Sequence, residues 1–212
     1  MSKKKIIGLC IAGVLAVGSI GGSLAWFTSS DSVTNPFTTA STDNPSDPNS
    51  GIEIDEKFDE NKAKNRLPGD EVTKQVNVIN TATYDQLIRV KIKKVWKDAK
   101  GEEKSDLDTK NIILNFEKNL TDSNKPEEGK WIKGSDEYYY YNGIVNPDGK
   151  TANLLESVTL SEDTTNEFKG LNFDVVVASE GIQASNGAAT DSWKNAPQVI
   201  KNLGGELKKK NN

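Results

Sequence analysis

From residue 52 onward, the chain alternates apolar and polar side chains with the period of two that is typical of half-buried β-strands. The alternating valines and isoleucines are Val72, Val76, Val78, Ile88, Val90 and Ile92. Further short apolar runs occupy 112–116, 130–133, 138–141, 154–160 and 171–178. The run at 112–116 fits a strand or a helix equally well. Together these segments predict about seven or eight short strands.

Turn residues separate these strands. Pro68 and Gly69 precede the strand at Val72, and they predict a type II turn because proline presets one turn angle and glycine accepts a positive φ. Asn142-Gly143 and residues 147–149 are further turn signals. Short strands and turns at regular spacing predict an all-β fold over residues 52–204, an antiparallel, jelly-roll-like β-sandwich.

Two segments depart from simple alternation. Val95-Trp96 breaks the parity of the strand at Ile88, so we expect a β-bulge at Lys94. Residues 191–203 predict one or two short helical turns, capped by Thr190, kinked or divided by Pro197 and ended by Gly204-Gly205. The tail at 205–212 is polar.

The N-terminus has the order of a secretory signal peptide. Lysines at positions 3–5 are followed by uncharged residues 6–20 and then by small residues up to Ala25. We therefore predict a signal helix in residues 1–25, cleaved between Ala25 and Trp26, and contact with a membrane only before cleavage. The alternative is a retained anchor, since residues 6–27 carry no charge and are long enough to span a bilayer.

Two segments connect this signal to the β-rich part. Residues 26–40 mix aromatic, Val and Thr side chains, a composition that favours extended structure. Residues 41–51 contain two prolines and predict a flexible linker. The N-terminal segment is thus a potential strand on a tether, or alternatively an ordinary first strand of the same domain.

The composition excludes several classes of function. The chain has 27 Lys and Arg against 31 Asp and Glu, a net charge of −4, which argues against a nucleic-acid partner. It contains no histidine, so neither a Ser-His-Asp triad nor a His-ligated zinc site can form. Its one cysteine is Cys10. We predict no catalytic residue, no cofactor and no metal site.

The acidic residues and the tyrosines are the remaining candidates for chemistry. Acids at positions 53, 55, 56, 59 and 60 are interleaved with lysines, and we interpret them as a solvated loop surface. Residues 47–51 resemble a calcium loop only superficially, because Phe58 stands where a bidentate glutamate is needed.

Four consecutive tyrosines lie in one predicted strand. These are Tyr138, Tyr139, Tyr140 and Tyr141. Because strand side chains alternate between faces, two should pack inward and two should lie on the surface. They are either surface contacts for a partner or polysaccharide, or cross-strand packing pairs.

Several motifs together resemble the TasA/camelysin family. The signal runs into Ala25-Trp26-Phe27-Thr28, and later stretches continue the likeness: 36–39, 66–70, 78–81, 88–92 and 138–143. Residues 182–193 resemble the clostridial BsaA branch most. The resemblance covers nearly the whole chain.

This resemblance implies a function and partners. It implies export from a Gram-positive bacterium through a SipW-type signal peptidase, and a secreted structural protein of the extracellular biofilm matrix or cell surface. It further implies head-to-tail polymerisation into fibres, in which the N-terminal strand of one copy completes the sheet of the next. Other matrix proteins or polysaccharide are further expected partners. The donor-strand anchors would be Trp26, Phe27, Val33 and Phe37.

Two alternatives remain open. The chain could be a monomeric, secreted carbohydrate- or host-binding module that uses Tyr138–Tyr141. It could also be a metallopeptidase, as camelysin was classed, although it has neither an HExxH motif nor any histidine. We expect a protein that is not an enzyme.

Overall fold

The computed structural model describes residues 28–36, 51–59, 62–63 and 66–205. These residues form nine strands, a short 3₁₀ helix at Asn166–Phe168 and two α-helices. The strands are β1 (Thr28–Pro36), β2 (Ile52–Phe58), β3 (Glu71–Asn80), β4 (Gln86–Lys97), β5 (Ile112–Asn115), β6 (Trp131–Lys133), β7 (Tyr138–Tyr141), β8 (Leu155–Leu160) and β9 (Asn172–Gln183). The helices are α1 (Ala188–Ser192) and α2 (Gln198–Leu203).

The strands form two antiparallel sheets. The five-stranded sheet has the order β1-β9-β4-β7-β6, and the four-stranded sheet has the order β2-β3-β8-β5. β4 and β9 pair along their whole lengths, from Gln86 opposite Gln183 to Lys97 opposite Asn172. The predicted all-β antiparallel sandwich with a few short helices is confirmed. The signal helix proposed for residues 1–25 lies outside the described residues.

The main hydrophobic core lies between the two sheets. Val76 and Val78 of β3 face Val90 of β4 and Val175 and Val177 of β9, and all five side chains are fully buried. The apolar positions recur every second residue along each strand, because only alternate side chains point into the sandwich.

A second core covers the outer face of the five-stranded sheet at one end. α1, α2 and Trp193 pack over Leu87, Ile132, Tyr140 and Ile182. Gly187 precedes α1, and Pro197 is the residue before α2. The predicted division of this segment at Pro197 is confirmed. Thr190 lies inside α1 and does not cap it, because burial of Ala188 and Ala189 extends the helix toward its N-terminus.

The predicted β-bulge at Lys94 is wrong. The ladder between β4 and β9 runs through Lys94 opposite Val175 without a shift in register. Val95 and Trp96 are both buried although they follow each other in an unshifted ladder, so two adjacent apolar residues need no bulge. Lys94 donates from Nζ to the carbonyl oxygen of Ile112, 2.8 Å away on the other sheet.

The type II turn before β3 is confirmed. Gly69 has a φ of 91°, and the Asp70 N–H donates to the Leu67 carbonyl oxygen at 3.0 Å. The Leu67 N–H in turn donates to Asp70 Oδ2 at 2.8 Å. These bonds fix the turn, and the Leu67 side chain at its first position is 67% exposed.

Within the described residues, we find no helix that combines the length and apolar character needed to cross a bilayer.

Candidate polymerisation surface

β1 lies at the edge of the five-stranded sheet. It pairs antiparallel with β9, from Thr28 opposite Ile182 to Pro36 opposite Asp174. Within the described residues, no other strand is hydrogen-bonded to it. β1 is therefore an edge strand and not a central one, so its removal would leave the other eight strands paired as they are.

β9 would become the new edge of the sheet if β1 left. Val175 and Val177 of β9 are buried in the core, and their backbones are at the register positions opposite Asn35 and Val33. An uncovered β9 presents a row of N–H and C=O groups that any extended segment of matching pattern can satisfy. In the described sheets, the N-terminal segment and the same segment of a second copy would therefore compete for this edge of β9.

The predicted donor anchors fall partly within this strand. Val33 is at the register position opposite Val177. Trp26, Phe27 and Phe37 lie outside the described residues, as does the predicted cleavage position at Ala25. The donor role of all four anchors stays a prediction.

The two ends of the sandwich differ. At one end, which we call the Leu67 pole, the Leu67–Asp70 turn lies beside the end of β8, where the Gly69 N–H donates to the Leu160 carbonyl oxygen at 2.7 Å. At the other end, the Gly51 pole, Gln86 Nε2 donates to the Gly51 carbonyl oxygen at 2.9 Å. Since Pro36 pairs opposite Asp174, β1 ends at the Leu67 pole.

A cavity of about 530 Å³ opens at the Leu67 pole. Its apolar wall includes Leu67, Pro68, Trp96, Phe168 and Phe173. The ring centroid of Trp96 lies 4.7 Å from that of Phe168 and 5.4 Å from that of Phe173. Trp96 is fixed by a bond from its Nε1 to the Asp108 carbonyl oxygen, 3.0 Å away. The cavity is therefore an aromatic recess beside an exposed leucine.

A buried ion pair joins β2 to β3. Lys74 Nζ is 2.7 Å from Glu56 Oε2, and the two side chains are 0% and 9% exposed. Burial raises the pKa of Glu56 and lowers that of Lys74, and each partner opposes the shift of the other. The sequence carries a signal for this pair, because Lys74 and Glu56 stand on the apolar parity of their strands. The interpretation of Glu56 as part of a solvated loop is wrong, since residues 53–56 lie in β2.

A second ion pair lies close to the end of β1. Lys97 contacts Asp174, whose side chain is 1% exposed and whose backbone is at the register position opposite Pro36. A buried carboxylate needs a cation nearby to offset its lost hydration. Lys97 supplies that charge at the Leu67 pole.

The four tyrosines divide between the two cores. Tyr139 and Tyr141 face the main core, whereas Tyr138 and Tyr140 face the cover formed by Trp193 and the helices. Their alternation is as predicted, but the outward pair does not lie free on the surface. Tyr139 and Tyr140 are buried, so these two rings cannot contact a partner in the folded protein.

Arg89 ties the outward tyrosines together. Its guanidinium carbon lies 3.9 Å from the centroid of the Tyr138 ring and 4.8 Å from that of Trp193. Its nitrogens donate to Glu180 Oε2 at 2.6 and 2.9 Å, and the Tyr138 hydroxyl donates to Glu180 Oε1 at 2.7 Å. Burial and the bond to Glu180 raise the pKa of Tyr138 to about 12. This arrangement supports packing, since every polar group in it already has a partner.

No metal-binding cluster is present in the described part of the chain, where no three Asp, Glu, Cys or His side chains come together. Asp47 and Asn49 of the calcium-like stretch lie outside that part.

Comparison with known protein families identifies the family to which this chain is related. The family model described as camelysin metallo-endopeptidase matches residues 1–172. The chain belongs to the camelysin family. No curated protein and no solved structure matches it. The resemblance to TasA and camelysin is thereby confirmed over most of the chain.

Membership in the camelysin family indicates an extracellular or cell-surface protein with a structural or matrix kind of role. The name of the family also refers to a peptidase activity. This camelysin-family chain lacks the histidines on which the usual zinc peptidase site depends. The matched range ends at the start of β9 and leaves out α1 and α2.

Proposed function

We propose that the protein is a secreted structural subunit that polymerises head-to-tail into extracellular biofilm matrix fibres by donor-strand complementation. The edge position of β1 carries the proposal. β1 pairs with β9 alone in the described sheets, and residues 37–50 separate it from β2. The same strand can therefore fill its own sheet or that of a second copy with the same hydrogen bonds.

Exchange of one strand between identical copies gives an open chain. Each copy donates β1 at one site and accepts another β1 at a different site, beside β9. Such a heterologous contact repeats without closing and produces filaments. Family membership supports an extracellular, structural role for the product. Export through a SipW-type signal peptidase, cleavage between Ala25 and Trp26 and a place in the BsaA branch belong to the same proposal.

Deletion of residues 26–40 tests this function. We expect the deletion variant to be a monomer that forms no fibres, as seen by electron microscopy and light scattering of the purified protein. Deletion of the tail at 206–212 is the control and should leave fibres intact. Fibres of unchanged yield after loss of residues 26–40 would contradict the mechanism.

A synthetic peptide of residues 26–40 separates lost assembly from lost folding. The peptide should raise the melting temperature of the deletion variant, because it fills the vacant edge of β9. It should not restore fibres, since it has no body of its own to accept the next strand.

The structure gives less support to the two alternative functions, glycan binding and peptidase activity. Glycan binding through Tyr138–Tyr141 would have to use half-buried rings that already pack on Arg89 or Trp131. Peptidase activity would need a site without histidine. A protease assay with and without chelator tests it, and we expect no chelator-sensitive cleavage.

A further inference from the structure

The direction of β1 in the sheet determines how neighbouring copies stack. The strand enters beside Ile182 at the Gly51 pole and leaves beside Asp174 at the Leu67 pole. A donated strand therefore leaves its acceptor at the acceptor's Leu67 pole. The donor's own body resumes at Gly51, which lies at the donor's opposite pole, bonded to Gln86.

The length of residues 37–50 permits both arrangements of the strand. Eight residue steps along β9, from Asp174 to Ile182, span about 27 Å. The connecting residues reach at most about 50 Å when fully extended. They can return along the sandwich to their own Gly51, or they can bridge to a second body placed beyond the Leu67 pole. The second arrangement needs no return along the acceptor.

Exposed apolar residues stand at both of these poles. In the residues that the structure describes, the large hydrophobic side chains left in solvent are Leu67 (67% exposed), Ile144 (42%) and Ile113 (41%). Leu67 borders the cavity walled by Trp96 and Phe168. Ile144 is at the Gly51 pole, because the next residue, Val145, exchanges two backbone hydrogen bonds of 2.9 Å with Gln86.

We infer that the Gly51 pole of each donor docks on the Leu67 pole of its acceptor, with Ile144 packed against Leu67 and the cavity beside it. The occupant of the cavity is thus a second copy of this chain. The inference rests on the proposed strand donation, which sets the polarity, and it adds a body-to-body contact that the strand alone does not supply. That contact makes the fibre a stack whose axis follows the strands.

Cysteine cross-linking tests this contact in assembled fibres. The double variant Leu67→Cys/Ile144→Cys, in a Cys10→Ser background, should give a ladder of covalent oligomers on non-reducing gels after oxidation. Leu67→Cys/Ile113→Cys is the matched control, since Ile113 is as exposed as Ile144 but lies on the outer face of β5, in the half of the sandwich that holds Leu67 and not at the Gly51 pole. It should give no ladder.

The outcomes separate this inference from the proposed function. Fibres without a Leu67–Ile144 ladder, or with an equal ladder in the Ile113 control, would overturn the stacking and leave strand donation standing. Absence of fibres from the unmodified protein would overturn both.

A charge introduced at position 67 tests the same contact by an independent measurement. Leu67→Asp should raise the protein concentration needed for fibre growth by about 10-fold or more, because the aspartate would have to lose its water in the contact. Ile113→Asp should leave that concentration unchanged. The circular dichroism spectrum should stay the same for both, as both side chains are exposed. Equal growth of Leu67→Asp and the unmodified protein would contradict the stacking.

Discussion

At the scale of single residues, the buried ion pair of Lys74 and Glu56 has a high cost in lost hydration. Two charges out of water are tolerated only together, because each offsets the lost hydration of the other. Glu56 accepts the Lys74 hydrogen bond at 2.7 Å, and the Phe58 ring centroid lies 5.2 Å from the same ammonium group. The pair fixes β2 against β3 in the sheet that faces the strand proposed to exchange.

Replacing Lys74 with methionine should cost about 3–5 kcal/mol of unfolding free energy, since it leaves Glu56 buried without a cation. Urea unfolding of the monomer measures this loss. The double change Lys74→Met/Glu56→Leu should recover much of it. Lys93→Met is the control, because Lys93 and its partner Glu103 are both exposed, and it should cost less than about 1 kcal/mol.

The loss in Lys74→Met should depend on pH in a defined direction. Burial raises the pKa of Glu56 above its ordinary value, and Lys74 opposes this shift, so loss of Lys74 should raise the pKa of Glu56 further. A raised carboxyl pKa contributes stability that is complete below the unfolded pKa and is lost as the pH rises through the folded pKa. The deficit of the variant should therefore shrink as the pH is lowered from neutral toward the unfolded pKa of the carboxyl group. A deficit that grew on acidification would contradict this account.

At the scale of elements, the C-terminal helices depend on Trp193. Its side chain is 4% exposed, its ring meets Tyr140 edge-on at 5.7 Å, and Arg89 lies over its face. Helices as short as α1 and α2 are not stable alone in water, so this packing must hold them. They in turn cover the outer face of the five-stranded sheet at the end that holds Leu87 and Ile182.

Trp193→Ala should cost about 3–5 kcal/mol, the range for removing a large aromatic side chain from a core. Thermal unfolding followed by circular dichroism measures it. The Tyr138 hydroxyl, whose pKa is held at about 12, should titrate at a lower pH in the variant as water reaches Arg89 and Glu180. Lys194→Ala, at the exposed neighbouring position, should change stability by less than about 0.5 kcal/mol. An equal loss in both variants would show that the helices do not depend on Trp193.

The strands and the turn before β3 show which parts of the fold the sequence can predict. The period-two pattern of Val72, Val76 and Val78 is local, so it predicts β3 directly, and the turn at Pro68-Gly69 follows from backbone geometry. The predicted bulge at Lys94 is wrong because Val95 and Trp96 are buried on opposite faces of an unshifted strand, which an apolar pattern for one face does not reveal. The order of strands is not predictable either. Pairing of β1 with β9 joins residues at opposite ends of the chain, and no local pattern encodes it.

At the scale of the whole molecule, the leading question is whether β1 must leave its own sheet before assembly. The intramolecular ladder and the proposed intermolecular ladder have the same register and the same hydrogen bonds. The free monomer therefore competes with the fibre for the same edge of β9. Assembly should require that β1 detach first, so a covalent lock on that strand should stop it.

A disulfide between Val33→Cys and Val177→Cys supplies this lock. The two positions are directly opposite each other in the register, where antiparallel neighbours bring their Cβ atoms within about 5.5 Å. In a Cys10→Ser background, oxidation of the monomer should give an intrachain bond and no fibres, and reduction should restore growth. Oxidation of preformed fibres should instead link different chains, because there the cysteine introduced at position 33 of one copy lies opposite the one introduced at position 177 of the next. Single-cysteine variants are the controls. Oxidised monomers that carry the intrachain bond and still polymerise at the unmodified rate would exclude exchange of β1 as the assembly step.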